Sequence, residues 1–218
     1  DILPKVLVAG ENAGFLTEEG AKLLDEKGIL KSGIPMAPAE GDAGTGMAAT
    51  NSIAVKTGNV SAGTSIFSMV VLENKLKNVY EEIDMVTTPV GKPVAMVHCN
   101  NCCTDLDYWV NLFSQFANSI GNQMNKSELY DLLYESALYG DTDAGGLVNF
   151  NYFSGEPVSH TADGRPVFLR KQGANFNLAN FMRCQIYSTM ATLKIGMEIL
   201  EKENVTIDCL MGHGGLFK

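Results

Sequence analysis

Apolar residues recur every three or four positions in several stretches of the chain, and this spacing predicts amphipathic helices. Two helices are predicted over about 104–117 and 127–139, and Thr104 with Asp107 resembles a capping box at the start of the first. A longer helix is predicted over about 177–203. Its apolar stripe consists of Leu178, Met182, Ile186, Met190, Leu193, Met197 and Leu200.

Two shorter helices are predicted nearer the N-terminus. Thr17 is the expected N-cap of one of them, and Gly28 is expected to end it. The other is predicted from Asp42 to about Lys56, because its apolar residues share one helical face. These residues are Ala43, Met47, Ala48 and Val55.

Runs rich in β-branched and apolar residues predict strands of one sheet over 60–73 and 93–99. We also expect a short buried strand over 206–211 and an edge or first strand over 34–39, where two prolines stand. The segment 140–173 is dense in Gly, Asp, Asn and Pro and predicts mostly loops. Strands that alternate with helices in this way indicate an α/β layered domain.

The composition narrows the classes of partner. With 218 residues, 45% of them hydrophobic, the chain is long enough for one sizeable core. The formal net charge of -9 argues against a nucleic-acid partner, because such binding relies on a basic surface. No apolar run approaches the roughly 20 residues that cross a bilayer, so we expect no membrane partner and a cytoplasmic protein.

Cysteines and one histidine suggest a second kind of chemistry. Five cysteines occupy positions 99, 102, 103, 184 and 209. An odd number, three of them crowded together, is a poor disulfide framework, so reduced thiols are expected. His98 with Cys99, Cys102 and Cys103 also permits a redox or zinc module, since thiolate and imidazole are zinc's usual ligands. No second ligand pair follows at zinc-like spacing, which disfavours this alternative.

Three glycine-rich segments stand where turns are predicted. They are GDAGTG at 41–46, SAGTS at 61–65 and GHGG at 212–215, and we call them the first, second and third turns. Glycine allows backbone N–H groups to approach a phosphate closely, and the start of a helix adds a positive dipole end. Each turn taken singly is weak support for a nucleotide site, because most glycine turns are only turns.

The three turns together, in this order, resemble the C-terminal half of the FGGY family of carbohydrate kinases. That family has the actin/hexokinase/Hsp70 ATPase superfold with a ribonuclease H-like core, so the resemblance implies this fold. It implies that Asp42, after Gly41, is the base that takes the proton of a sugar hydroxyl. It also implies that Gly63, Thr64 and Ser65 approach the phosphates of ATP.

For the third turn, the resemblance implies a contact with adenosine through Gly212, Gly214 and Gly215. His213 stands where family members usually have a small residue, a departure that alters the expected nucleotide pocket.

Two further segments resemble the same family. YFSGEP at 152–157 is similar to a Leu-Ser-Gly-Glu-Arg-Thr-Pro signature, although here the proline directly follows the Gly-Glu pair. The opening residues 6–21 resemble the linker that leaves the family's first domain. The segment HCNNCC falls where the family has a small-residue turn near the nucleotide, so Asn100 and Asn101 are candidate cleft residues.

The resemblance implies that 1–218 is one C-terminal-type ATPase domain, with 1–33 as an entry linker and short helix. The family's N-terminal sugar-binding domain and last helices would then lie outside these residues. The implied substrates are ATP and a pentulose, hexulose or related polyol. Magnesium is the implied cofactor, with Asp42 near its shell and ATP oxygens as its main ligands. We expect residues 1–218 alone to phosphorylate no sugar, and a homodimer is possible.

Two alternatives to the kinase interpretation stay open. Asp42 is a good helix-capping residue, and position alone favours a cap over a base. The chain also fits a non-catalytic nucleotide-binding module of the actin-like superfold, which needs no carboxylate at the terminal phosphate. The sequence does not identify the sugar.

Overall fold

The computed structural model describes residues 2 and 4–217, and in this part of the chain helices and strands alternate as predicted. The helices are α1 (Glu18–Leu24), α2 (Asp42–Ala49), α3 (Thr104–Ser119), α4 (Lys126–Ala137) and α5 (Leu178–Lys202). The strands are β1 (Thr57–Ala62), β2 (Ile66–Val71), β3 (Asp84–Thr87), β4 (Pro93–Cys99), β5 (Leu147–Phe150), β6 (Val167–Arg170) and β7 (Cys209–His213).

A mixed five-stranded sheet forms the centre, in the order β3-β4-β2-β1-β7. The pairs β1–β2, β2–β4 and β3–β4 are antiparallel, whereas β7 pairs with β1 in parallel. The short strands β5 and β6 form a separate antiparallel pair. The α/β class predicted from the alternation of elements is therefore confirmed.

Helices cover the two faces of this sheet unequally. Along β2 the side chains alternate, so that Ile66 and Val70 join a large core with α5, while Met69 and Val71 point to the opposite face. There they enclose Met47 of α2, which is fully buried. The α5 face therefore carries most of the packing, and α2 is a small cover on the other face.

α3, α4 and α5 enclose a second core beside the sheet. Its centre is aromatic, with Trp109 of α3 packed edge-on against Phe181 of α5 at a ring separation of 4.9 Å. Edge-to-face pairs of this kind add to the stabilisation that burial alone provides. The predicted apolar stripe of α5 is thus confirmed as core, except that Leu178 at its start is exposed.

The α-helices of the described residues all begin within one residue of the predicted start, but one predicted cap is wrong. Thr17 caps α1, Asn177 caps α5, and Asn125 forms a capping box with Glu128 at the start of α4. The capping box predicted at Thr104 is wrong. Cys103 is the N-cap of α3 and makes no side-chain cap, while the Asp107 carboxylate accepts a hydrogen bond from the hydroxyl of Tyr130.

α2 and α1 both end earlier than predicted. α2 stops at Ala49, because Asn51 adopts a left-handed conformation with φ of 53°. The backbone N–H of Ser52 then donates to the carbonyl of Met47 at 2.9 Å, which is the hydrogen bond of a Schellman ending. α1 ends at Leu24 rather than Gly28, because the Asp25 carboxylate accepts three backbone hydrogen bonds from the residues that follow and so turns the chain.

Two strand predictions need correction. No strand forms over 34–39, where the only pairing is a single bridge from Pro35 to Phe15. The segment 140–173 is mostly loop, as predicted, but it also contains the short strands β5 and β6. The predicted strand at 206–211 begins only at Cys209, and it is largely exposed because β7 is the edge strand of the sheet.

Within residues 2 and 4–217, none of the helices combines the length and apolar character that a bilayer crossing requires.

Candidate functional site

The second and third turns leave the sheet at the same edge. β1 and β7 run in parallel with Ser61 opposite His213, so the segments that follow them emerge side by side. The second turn then leads into β2, and the third leads into a 3₁₀ turn at Gly215–Phe217. Parallel pairing thus brings together two glycine-rich segments that are about 150 residues apart in the sequence.

The two turns touch at Gly214. This residue has a φ of +105°, and a Cβ built on it would lie 2.2 Å from the carbonyl oxygen of Ala62. A side chain is therefore excluded both by the backbone conformation and by the contact. Gly212 is also confined, since its Cβ would lie 3.1 Å from the ring of Phe217.

A cavity of about 440 Å³ opens between these turns and the helices α3 and α4. Gly63 and Thr64 of the second turn and Gly215 of the third line one wall. The volume falls within the range of about 300–1,000 Å³ that is usual for small-molecule sites. The other lining residues are Cys103, Asp107, Ser127, Tyr130, Asp131, Tyr134 and Leu216.

The sequence predictions missed the wall contributed by α3 and α4. Tyr130 donates a hydrogen bond to the Asp107 carboxylate at 2.5 Å. Burial, together with this hydrogen bond, raises the pKa of Tyr130, and burial raises the pKa of Tyr134. Both phenols therefore stay protonated at neutral pH and keep a hydroxyl for hydrogen bonding. Their i, i+4 spacing on α4 was the available signal, because residues so spaced share a helical face.

The second turn is held from behind by the segment that joins β4 to α3. The backbone N–H of Cys102 donates to the carbonyl of Thr64 at 3.0 Å, and that of Cys103 donates to the carbonyl of Gly63 at 3.1 Å. Within the turn, the N–H of Gly63 donates to the carbonyl of Ser65 at 2.9 Å. These bonds fix the position of the turn at the rim of the cavity.

Asn100 and Asn101 do not line this cavity, contrary to expectation. The side chain of Asn101 is buried, and its oxygen accepts hydrogen bonds from the backbone N–H groups of Phe153 and Ser154 at 2.8 and 3.0 Å. Asn100 is exposed and donates to the carbonyl of Gly155 at 2.8 Å. Both amides are engaged by the segment 152–157.

Glu156 explains why that segment lies where it does. Its side chain is fully buried, and one carboxylate oxygen accepts hydrogen bonds from the backbone N–H and the side-chain amide of Asn101, at 3.2 and 3.0 Å. The other oxygen has no hydrogen-bond partner among the described residues. The segment that resembles the family signature therefore anchors the 100–103 turn, which in turn supports the second glycine turn.

Asp42 lies on the opposite face of the sheet, at the start of α2. Gly41 is the N-cap, and Asp42 is the first helical residue. Its carboxylate is exposed and accepts a hydrogen bond from the neighbouring N–H of Ala43 at 2.8 Å. Asp42 is not among the residues that line the 440 Å³ cavity.

His213 links the helix of the first turn to the third turn. A Cβ on Gly46 would lie 4.0 Å from the imidazole of His213, and Asn59 lies within hydrogen-bond distance of that ring at 3.3 Å. Asp42 precedes Gly46 by four residues and shares its helical face, about 6 Å further along the axis. The third turn thus reaches both faces of the sheet.

A buried polar atom beside His213 has no hydrogen-bond partner among the described residues. This atom is the side-chain oxygen of Asn59, a residue that is fully buried.

Within residues 2 and 4–217, no three His, Cys, Asp or Glu side chains come together as metal ligands. The arrangement of His98, Cys99, Cys102 and Cys103 thus gives no support to the zinc alternative.

The order of the three turns and the α/β architecture are those expected from the sequence resemblance. The C-terminal domain of the FGGY family of carbohydrate kinases matches residues 58–218, which is most of the chain. The chain belongs to the FGGY family of carbohydrate kinases. No curated protein matches this FGGY sequence.

Solved structures agree on the fold of this FGGY domain. The xylulose kinase from Rhodospirillum rubrum is similar with a TM-score of 0.77 and 15% identity, over 98% of this chain and 40% of that one. The gluconate kinase from Lactobacillus acidophilus is similar with a TM-score of 0.71 and 15% identity, over 99% and 41% of the two chains. The xylulose kinase from Bifidobacterium adolescentis is similar with a TM-score of 0.62 and 21% identity, over 86% of this chain and 34% of that one.

These similarities confirm the actin/hexokinase/Hsp70 ATPase superfold predicted from the sequence. The chain spans less than half the length of each of these FGGY relatives.

Proposed function

We propose that this chain supplies the ATP-binding part of an ATP-dependent carbohydrate kinase, which transfers a phosphoryl group to a hydroxyl of a pentulose, hexulose or related polyol. The proposal treats 1–218 as one C-terminal-type domain that works with a separate sugar-binding domain. The similar xylulose, gluconate and glycerol kinases are each about two and a half to three times as long as the aligned part, which is in keeping with a second domain.

One observation carries the nucleotide role: the second and third turns meet at the rim of a 440 Å³ cavity. Gly63 and Gly215 present backbone there without side chains, and nothing lies within 4 Å of a Cβ built on either. The N–H of Gly63 is bonded to the Ser65 carbonyl within the turn, so the open backbone of Gly215 is the part of this rim that suits phosphate oxygens. Tyr130 and Tyr134 add aromatic surface with hydroxyl groups, which suits a nucleoside.

Asp42 is our candidate for the catalytic base. Phosphoryl transfer requires an ionised group near the attacking hydroxyl and cations that neutralise the developing charge. Asp42 is exposed, so a second substrate can reach its carboxylate. Magnesium, when bound with ATP, would neutralise phosphate charge, and the Asp42 oxygens are ligands of the type it prefers.

A non-catalytic nucleotide-binding module is the second candidate. It is favoured by the position of Asp42, whose carboxylate bonds, within the described part of the chain, only to the N–H of Ala43 and does not line the cavity. In this alternative the carboxylate serves the start of α2, and no phosphoryl group is transferred.

The test is a substrate panel on the complete polypeptide that contains this chain, with ADP release as the measurement. Pentuloses, hexuloses, polyols and glycerol are compared, and Asp42→Asn is the matched variant. The kinase proposal predicts ADP release that depends on one class of sugar. It also predicts that Asp42→Asn lowers kcat by roughly 10²–10⁴-fold, or about 3–5 kcal/mol, while ATP affinity is retained.

Two results would contradict the proposal. ATP binding without sugar-dependent ADP release across the panel supports the non-catalytic module. Unchanged kcat in Asp42→Asn removes Asp42 as the base. We further propose that residues 1–218 alone phosphorylate no sugar, which robust sugar-dependent turnover by this fragment would overturn.

A further inference from the structure

Two neighbouring thiols stand at the wall of the nucleotide cavity. The sulfur atoms of Cys102 and Cys103 are 3.5 Å apart. Cys102 is buried, whereas Cys103 is only partly buried and lines the cavity next to Gly63 and Thr64. The pair is therefore asymmetric, with one sheltered thiol and one that a small molecule in the cavity can reach.

The surroundings favour the thiolate at Cys103. The two sulfur atoms lie within hydrogen-bond distance of each other. With the Cys102 thiol as the donor, this bond lowers the pKa of Cys103, although burial and Asp107 oppose it. The same bond, with burial, raises the pKa of Cys102. Cys103 is also the N-cap of α3, where the helix dipole favours negative charge. The phenols of Tyr130 and Tyr134 also face this wall.

The other three cysteines differ from Cys103. Cys99 and Cys184 are buried, and burial raises the pKa of Cys99 to about 12 and that of Cys184 to about 11. Such thiols are poor nucleophiles at neutral pH. Cys209 is exposed on the edge strand β7 but is not among the residues that line the cavity. It is the internal control for general thiol reactivity.

The backbone of Cys103 is also hydrogen-bonded to the second turn. The N–H groups of Cys102 and Cys103 donate to the carbonyls of Thr64 and Gly63. A group attached to the Cys103 sulfur would occupy space in the cavity and press on the segment that holds the second turn. Modification at this sulfur therefore weakens nucleotide binding both by filling the cavity and by displacing the second turn.

We propose that Cys103 is a reversible modification site at which a low-molecular-weight disulfide blocks the nucleotide cavity. In the reaction, the Cys103 thiolate attacks one sulfur of a disulfide R–S–S–R. The S–S bond of the small disulfide breaks as the Cys103–S–S–R bond forms, and the other half leaves as the thiolate R–S⁻. Excess R–SH reverses the step. The inference rests on the proposed nucleotide role of this cavity and makes that role sensitive to the thiol–disulfide balance.

The test uses the complete polypeptide in a Cys209→Ser background, with glutathione disulfide as the probe and ADP affinity as the main measurement. Peptide mass mapping should locate one glutathionyl group on Cys103, and bound ADP should slow the reaction. The affinity for ADP should fall about tenfold or more after treatment and recover with dithiothreitol. In Cys103→Ser, treatment should leave the affinity at whatever value that variant had before it.

Cys102→Ala provides a readout that a purely structural role would not change. Loss of the Cys102 S–H donor should shift the midpoint of the rate–pH profile for reaction at Cys103 to higher pH. An unshifted midpoint removes the role assigned to Cys102.

Three outcomes separate this inference from the proposed function. If untreated protein binds ADP but glutathionylation of Cys103 leaves the affinity unchanged, the inference is wrong and the function stands. If treatment weakens ADP binding equally in Cys103→Ser, or if Cys103 does not react, the inference is also wrong. If untreated protein binds no ADP, the nucleotide role itself fails and the blocking role fails with it.

Discussion

The two sides of the candidate site are held by the chain in very different ways. On the cavity side, the second turn is fixed by the N–H groups of Cys102 and Cys103, and the segment behind them is anchored by the buried Glu156. On the α2 side, an eight-residue helix is anchored by the buried Met47. It carries Asp42 in an exposed position, where its carboxylate bonds, among the described residues, only to the N–H of Ala43. The second turn is therefore held by several hydrogen bonds, whereas the Asp42 carboxylate itself is held by one.

This difference bears on how the proposed reaction is organised. A site that binds phosphates through backbone N–H groups depends on fixed geometry, so its support must come from within the domain. A base must meet a second substrate, and its position can be completed when another domain and the sugar arrive. The contrast predicts that substitutions behind the cavity act on folding, whereas substitutions at Asp42 act on turnover.

The largest effect is expected from Asn101→Ala. The substitution removes the side-chain donor to the buried Glu156 carboxylate and leaves the backbone N–H groups of Phe153 and Ser154 without their acceptor. Unpaired buried polar groups and charges are costly. We expect the free energy of unfolding to fall by on the order of 3–5 kcal/mol, measured by urea denaturation.

Asn100→Ala is the matched control for this prediction. Asn100 is adjacent and of the same type, but it is exposed and donates one hydrogen bond, to the carbonyl of Gly155. Its loss should cost about 0.5–1.5 kcal/mol. Equal losses in the two variants would show that burial of the Asn101–Glu156 pair does not support the second turn.

An intermediate effect is expected from Gly214→Ala. The new methyl group would meet the carbonyl oxygen of Ala62, in a backbone conformation that L residues rarely adopt. We expect the free energy of unfolding to fall by about 1–3 kcal/mol and the affinity for ADP to fall with it. Thermal denaturation and ADP titration measure the two effects.

Gly215→Ala tests whether the loss of stability in Gly214→Ala comes from the contact with Ala62 or from any substitution in the third turn. Gly215 lies next to Gly214, but no atom lies within 4 Å of a Cβ built on it. We therefore expect a change in unfolding free energy within about 0.5 kcal/mol. If Gly214→Ala were equally mild, the two turns would not be as tightly apposed as the structure indicates.

The features that were predicted correctly follow from local sequence patterns. The features that were missed depend on contacts between residues far apart in the chain. The stripe of α5 repeats over seven turns and was predicted almost to the residue. The glycines of the second and third turns were also recognisable, because a turn needs them locally. The contact between Gly214 and Ala62 arises from parallel pairing of β1 with β7, which no short segment encodes.

The wrong predictions have the same physical origin. Thr104 and Asp107 have the spacing of a capping box. The Asp107 carboxylate instead accepts a hydrogen bond from the hydroxyl of Tyr130, which lies on another helix. Asn101 has the polarity of a cleft residue, but its partners come from a segment about 50 residues later in the chain. Tertiary partners in both cases override the local interpretation of a polar side chain.

The smallest effect on stability is expected at Asp42, and its smallness is informative. Asp42→Ala removes an exposed acceptor for the N–H of Ala43 and a negative charge from the first turn of α2, so the cost should stay below about 1 kcal/mol. Asp42→Asn keeps an acceptor and should cost less still. Urea denaturation of both variants, set against their kcat values, separates the two roles of this carboxylate. A base predicts a large loss of turnover in both variants with little loss of stability, whereas a residue that only serves the helix predicts losses of stability alone, larger in Asp42→Ala than in Asp42→Asn.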